Sequence, residues 1–299
     1  MSIATSDGAR LAATLFEPET PPRGTLLVAP AVGGPQTFYA RFARFIASKG
    51  LRAVTFDYRG FAGSKRSGGP TPTLSRWGEL DYPAVLRWVM ARPDRGPCYV
   101  VGHSLGGQFL GLTPEAQSLA GAATVASMSG NIRNLEHGRR RAEWTFRYLV
   151  PAITAALPDV PGWLGLGATI PSPAMREWAR WCLSQEYFLS EHPEYRARAA
   201  QFTRPLTILS FEDDRLAPLV NVRWLVDFYA DARPRHVHLR PAEVGLAGIG
   251  HFGFFRDSSR VLWASLLDQL QRHDPSYDPQ LLPRMQLHQD MMLDLQRDF

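Results

Sequence analysis

Apolar positions along the chain follow two spacings, one of strands and one of helices. Residues 2–5 and 11–16 alternate apolar with polar, and the Asp7-Gly8 pair between them favours a tight turn, so an antiparallel hairpin is predicted at the start. Residues 25–30, 52–57, 98–103, 123–128, 206–211 and 236–241 are short, nearly continuous apolar runs, the pattern of strands buried on both faces of a parallel sheet. Between most of them the spacing turns helical. Tyr39, Phe42, Phe45 and Ile46 share one helix face that Gly50 ends, and Leu80, Val85, Trp88 and Val89 share another before Pro93. These stripes read as core. Alternation of strand and helix predicts an α/β fold, a mostly parallel central sheet flanked by helices.

One interval breaks the rhythm. Residues 130–202 show no convincing strand but carry Trp144, Phe146, Tyr148, Trp163, Trp178, Trp181, Tyr187 and Phe188 among several prolines. A structureless loop of that length is improbable inside a compact domain, so the segment is predicted as a mainly helical cap inserted into a core made of residues 1–129 and 203–272. Most of its aromatics are expected to hold the cap together, with Trp144, Trp178 and Trp181 assigned to an apolar substrate pocket. A last core helix is predicted over 256–270. The tail, 273–299, suggests a short amphipathic helix whose Leu281, Leu282, Met285, Leu287, Met291, Met292 and Leu295 need cover, from a second copy in a homodimer or from their own domain.

Composition leaves this picture standing. Among 299 residues, 45% are hydrophobic and 20% charged, values of a globular protein. The net charge of +5 is carried mostly by scattered arginines with no nucleic-acid recognition motif beside them, so no nucleic-acid partner is expected. Cys98 and Cys182 lie far apart without metal-ligand company and read as buried thiols. His236 and His238 alternate along a strand without acidic or cysteine neighbours, so no metal is expected there. The first residues lack a basic stretch followed by an apolar run, and no apolar segment reaches the ~18 residues of a membrane span. A cytoplasmic location is the expectation.

The chemistry gathers at Gly102-His103-Ser104-Leu105-Gly106, which follows an apolar strand and precedes a predicted helix. In a G-x-S-x-G corner the serine is pushed out at the carboxyl edge of the sheet, and Gly102 and Gly106 relieve the crowding on either side. That edge is where open α/β sheets bind ligands. A serine hydroxyl is a poor nucleophile near neutral pH, so a base and an orienting acid must follow. His251 lies in a glycine-flanked loop 37 positions after Asp214, and Asp213-Asp214 ends the strand before it. Asp214 is preferred over Asp213 because it sits nearer Pro218, a first-turn residue of the next helix. Asp213 is then a surface or helix-capping group.

The N–H of Leu105 begins a helix and is suited to a developing negative charge, and that of Val32, beside Gly33 and Gly34, is the candidate second oxyanion donor. His103 is expected to pack beneath the corner. Residues 137–141, His-Gly-Arg-Arg-Arg, read as a solvated cap face, or as an anion-attracting one if turned to the pocket.

With these residues in place the chain resembles the α/β-hydrolase superfamily, in its bacterial serine aminopeptidase-like and lysophospholipase-like branch. The likeness rests on residues 56–64, 102–112, 176–182, 210–214 and 248–255. It implies a catalytic triad of Ser104, Asp214 and His251, and no cofactor. The Asp57-x-Arg59-Gly60 segment resembles a family structural loop in which Ala62 stands where relatives often carry glycine. Pro30-Ala31 occupies the place of a common His-Gly. The function expected is hydrolysis of a carboxylic ester through an acyl-serine, with amide cleavage, acyl transfer and thioester hydrolysis open to the same machinery, and a non-catalytic binding role on the same scaffold as the lesser alternative.

Overall fold

The computed structural model describes residues 1–164 and 167–272. The helix and dimer contact expected in 273–299 lie outside the described residues. Strands β1 (Ser2–Ala4) and β2 (Arg10–Phe16) form the N-terminal hairpin, and β3 (Thr25–Ala29), β4 (Arg52–Phe56), β5 (Cys98–His103) and β6 (Gly121–Val125) follow. Every residue of β3 to β6 is buried, which is why their sequences run apolar without alternation. A small hairpin of β7 (Asp159–Val160) and β8 (Ile170–Pro171) precedes β9 (Leu206–Phe211) and β10 (Arg235–Leu239). The eight-stranded sheet has the order β1-β2-β4-β3-β5-β6-β9-β10. From β4 to β10 all pairings are parallel, while β1–β2 and β2–β4 are antiparallel.

Helices 40–48 and 260–271 cover one face of the sheet, where Phe42, Phe45, Trp263 and Leu267 pack with Phe254 and Phe255. The other face is covered by helix 82–90 and by aromatic side chains from 181–188 and 224–229. The sheet is thus buried on both sides, as its composition requires.

Three expectations are corrected. The run at 123–128 leaves the sheet after Val125, because Ala126 turns to φ 51°. The last core helix begins at Arg260, and residues 257–259 form a separate 3₁₀ turn. The segment between β6 and β9 is mainly helical but contains a two-residue hairpin, β7 (Asp159–Val160) against β8 (Ile170–Pro171). Its helical stretches are 139–156, 172–183 and 194–200.

Two helices carry a π turn, at 77–81 and at 145–149, and each turn runs directly into a helix with proline at its second position, Pro83 and Pro151. Proline lacks an N–H and its ring crowds the carbonyl four residues back, so the preceding turn widens.

Candidate active site

β5 ends at His103, and Ser104 follows with φ 50° and ψ −114°, a conformation costly to a residue with a side chain. Neighbouring main chain holds it there: the Ser104 N–H donates to the Val125 carbonyl at 2.9 Å, and its carbonyl accepts from Gly107 N–H at 3.1 Å. The glycines around it are sterically required. A Cβ on Gly102 would lie 2.5 Å from the Gly107 backbone, and one on Gly106 would overlap the Ala29 carbonyl. The helix after the corner is the single turn Leu105–Gln108. Gly106 and Gly107 weaken it, and the buried Tyr229 hydroxyl closes its end, accepting from Gly111 N–H at 3.0 Å and donating to the Gln108 carbonyl at 2.8 Å.

His251 comes to this corner from the one-turn helix Gly250–Gly253 beyond β10, where the sequence predicted a loop. Its Nε2 lies 3.0 Å from Ser104 Oγ and its Nδ1 2.7 Å from Asp214 Oδ2. A carboxylate only accepts, so Nδ1 carries the proton and Nε2 presents its lone pair to the serine hydroxyl. The Asp214 side chain is fully buried, and its other oxygen accepts from the N–H groups of Leu216 and Ala217 at 2.9 and 3.2 Å. Asp213 is exposed, as expected of a surface or helix-capping group. Its carboxylate accepts from Ile249 N–H at 2.7 Å and Gly250 N–H at 2.9 Å, gripping the main chain just before His251.

His103 lies beneath the corner, fully buried. Burial pushes its imidazole well below the ordinary range, so it is neutral. Its Nε2 donates to the His251 carbonyl at 2.8 Å, and its Nδ1 accepts from the Tyr39 hydroxyl at 2.8 Å. That hydroxyl in turn accepts from Ala31 N–H at 2.9 Å. On the far side of the same loop Asp57 accepts from Gln36 N–H at 2.7 Å and from Gly63 N–H at 3.1 Å. The segment 31–36 is therefore pinned at both ends. Among the described residues, neither Val32 N–H nor Leu105 N–H donates to any protein group.

A description of the alpha/beta hydrolase family matches residues 26–264, most of the chain. The chain belongs to the α/β-hydrolase family. No curated protein matches it in sequence. Among solved structures it is similar to a monoglyceride lipase of Saccharomyces cerevisiae, at 15% identity and a TM-score of 0.63, over 91% of this chain and 94% of that one. It is similar to an esterase of Exiguobacterium antarcticum at 14% identity and a TM-score of 0.62, over 91% and 99% of the two chains. An enol-lactonase from Burkholderia xenovorans LB400 aligns at 15% identity and a TM-score of 0.60, over 91% and 100%. At such identities the likeness is one of fold.

In this α/β hydrolase the tryptophans assigned to a pocket differ in burial. Trp181 is fully buried, edge-on to Tyr187, Phe188 and His192, and serves packing. Trp144 is 56% exposed beside Tyr148. Trp178 is half-buried against Phe146. Residues 137–141 are exposed, as a solvated face. His236 and His238 both lie 2.8 Å from Ser210 Oγ across β9 and β10. Acidic groups around His192 approach one another, but they are engaged: Glu177 with Ser75, Glu191 with Arg180, and Glu79 with Tyr195. Sequence reasoning missed the part of Tyr39, whose place in a helical stripe signals burial and says nothing of its hydroxyl.

Proposed function

We propose that this α/β hydrolase cleaves carboxylic esters through an acyl-serine, with Ser104 as nucleophile, His251 as general base and acid, and Asp214 as the group that orients and stabilises the imidazole. The observation that carries this reading is the unbroken chain from Ser104 Oγ to His251 Nε2 at 3.0 Å and from His251 Nδ1 to Asp214 Oδ2 at 2.7 Å. Ser104 Oγ attacks the ester carbonyl as its proton passes to Nε2. The new C–O bond turns the carbonyl into an oxyanion, and the unpaired N–H groups of Leu105 and Val32 are its donors. Collapse breaks the bond to the alcohol, which leaves with the proton from Nε2. Water then gives its proton to Nε2, attacks the acyl carbonyl, and the carboxylic acid leaves as the proton returns to Ser104.

Residues 130–202 act as a cap over this mouth and hold an apolar part of the substrate. Ester hydrolysis as the class of reaction fits the lipase, esterase and lactonase among the similar structures.

A fluorophosphonate probe followed by peptide mapping tests the nucleophile, with label expected on Ser104 of the folded protein. A panel of esters of varied acyl length tests the class. Ser104→Ala turning over the preferred ester as fast as the parent removes the mechanism.

A further inference from the structure

The helical stretch 139–156 has one face packed on the protein and one that nothing among the described residues covers. Ala142, Phe146 and Ile153 pack against the core, and Val150 and Thr154 are buried. Arg140, Trp144, Tyr148, Ala152 and Ala156 recur at every fourth position and are all exposed. A uniform helix would carry such a row about 160° around its axis. The wider π turn at 145–149 unwinds part of that drift and keeps the row on one side.

The exposed row is graded. Its first turn is basic, with Arg139, Arg140 and Arg141 making no ion pair among the described residues. Its middle is aromatic, with Trp144 56% and Tyr148 59% exposed. Arg147 lies beside them and pairs with Glu143 at 3.1 Å. The last turns expose Pro151, Ala152, Ala155, Ala156 and Leu157, without a polar side chain. From 133 to 148 five arginines face two glutamates.

We infer that this face docks on an anionic lipid surface. Arginines suit headgroup phosphates, exposed tryptophan and tyrosine suit the level between headgroup and acyl chain, and an apolar end suits shallow insertion. A nucleic acid is the poorer occupant, because the basic charge stops where the apolar turns begin and a phosphate backbone would run on over alanine and proline. The attachment is peripheral. No helix among the described residues is long and apolar enough to cross a membrane. It is also independent of the chemistry at Ser104.

The test is co-sedimentation of the full-length protein with vesicles of phosphatidylcholine, alone or with phosphatidylglycerol. Binding is expected only to the mixed vesicles and is lost in high salt. The double variant Arg140→Glu, Arg141→Glu lowers the partition constant at least tenfold, since each arginine near such a surface is worth about 1 kcal/mol. Trp144→Ala lowers it several-fold at unchanged charge. Thermal melts of each variant, matched to the parent, show that the fold is intact whatever the enzyme's activity. Equal binding to neutral and anionic vesicles, binding indifferent to both variants, or capture of an oligonucleotide in preference to the mixed vesicles overturns the inference. So does a dimer that Trp144→Ala dissociates, which would make a second copy the occupant.

Discussion

Asp213 and Asp214, adjacent in the chain, hold different parts of the same histidine loop: Asp214 takes the His251 ring at 2.7 Å, and Asp213 takes the main-chain N–H groups of Ile249 and Gly250 at 2.7 and 2.9 Å. The two carboxylates therefore separate in their effects. Asp214→Asn offers its amide to Nδ1 and favours the wrong tautomer, so kcat is expected to fall about 10⁴-fold. Asp213→Asn retains one acceptor of two and leaves the ring's partner in place. It should lower kcat only about tenfold and cost about 1–2 kcal/mol of stability. Steady-state kinetics on one ester and urea unfolding of both variants check this, and equal losses of kcat would count against the division of labour.

Strain at Ser104 predicts a trade between stability and function. Ser104 is held at φ 50°, and glycine accepts that conformation without a Cβ penalty whereas alanine does not. Ser104→Gly is expected to be more stable than Ser104→Ala by about 1 kcal/mol, both being inactive. Thermal denaturation of the pair decides it; an alanine variant as stable as the glycine variant argues that the corner is relaxed.

Ala62 is held at a similar backbone conformation, with φ 43°. Left-handed backbone costs a side-chain-bearing residue about 1–2 kcal/mol, and glycine returns about 0.4–1 kcal/mol of that through its looser unfolded chain. Ala62→Gly should raise stability by about 0.5–1 kcal/mol with activity unchanged. A drop in midpoint temperature would contradict it.

Much of the fold was legible because its determinants are local. Runs such as residues 25–30 and 98–103 are apolar throughout since both faces of their strands are covered, and the glycines at 102 and 106 are there because main chain passes where a Cβ would stand. Ser104, Asp214 and His251 could be chosen from residue type and chain order, and the structure brings them within hydrogen-bond reach. The partners of Asp213 could not be read, because Ile249 and Gly250 meet it only through the fold. Nor could the fate of Trp144 and Trp181. One is exposed and the other fully buried, although both belong to helices of similar composition. Which face of a helix looks inward there depends on the π turn before Pro151, a feature without a periodic signature.

Arg59 is fully buried between two acids. It donates to Asp81 through Nε at 2.7 Å and reaches Asp7 in the N-terminal hairpin at 2.5 Å. The guanidinium holds the Asp7 carboxyl at about 2, below its ordinary 3.8. Because the folded value is the lower one, the stabilisation is fully present above pH 3.8 and is lost as pH falls toward 2. It amounts to about 2 kcal/mol near neutrality. Asp7→Asn should therefore be less stable than the parent by about that amount at pH 7, with the gap closing near pH 2. Urea unfolding across that range checks it, and a gap that stays constant would place the loss in packing. Arg59→Met strands the buried Asp81 carboxylate and should cost about 3–5 kcal/mol at pH 7.

Tyr39 gives the last prediction. Its hydroxyl is the single group joining Ala31 N–H, at 2.9 Å, to His103 Nδ1, at 2.8 Å, and His103 in turn holds the His251 carbonyl. Burial pushes the phenol above its usual range, so it remains a hydroxyl able to accept from one side and donate to the other. Tyr39→Phe preserves the ring, which packs edge-on to Phe38 and Phe255. It leaves an N–H and an imidazole nitrogen without their partner, and the expected cost is about 2 kcal/mol. The loop carrying Val32 and the loop carrying His251 lose their shared anchor at once, so kcat should fall about tenfold while KM for a small soluble ester stays within about twofold, since the ring and the walls around it are unchanged. If Tyr39→Phe unfolds within about 0.5 kcal/mol of the parent and keeps its kcat, the hydroxyl is replaceable by water and the two loops are held independently.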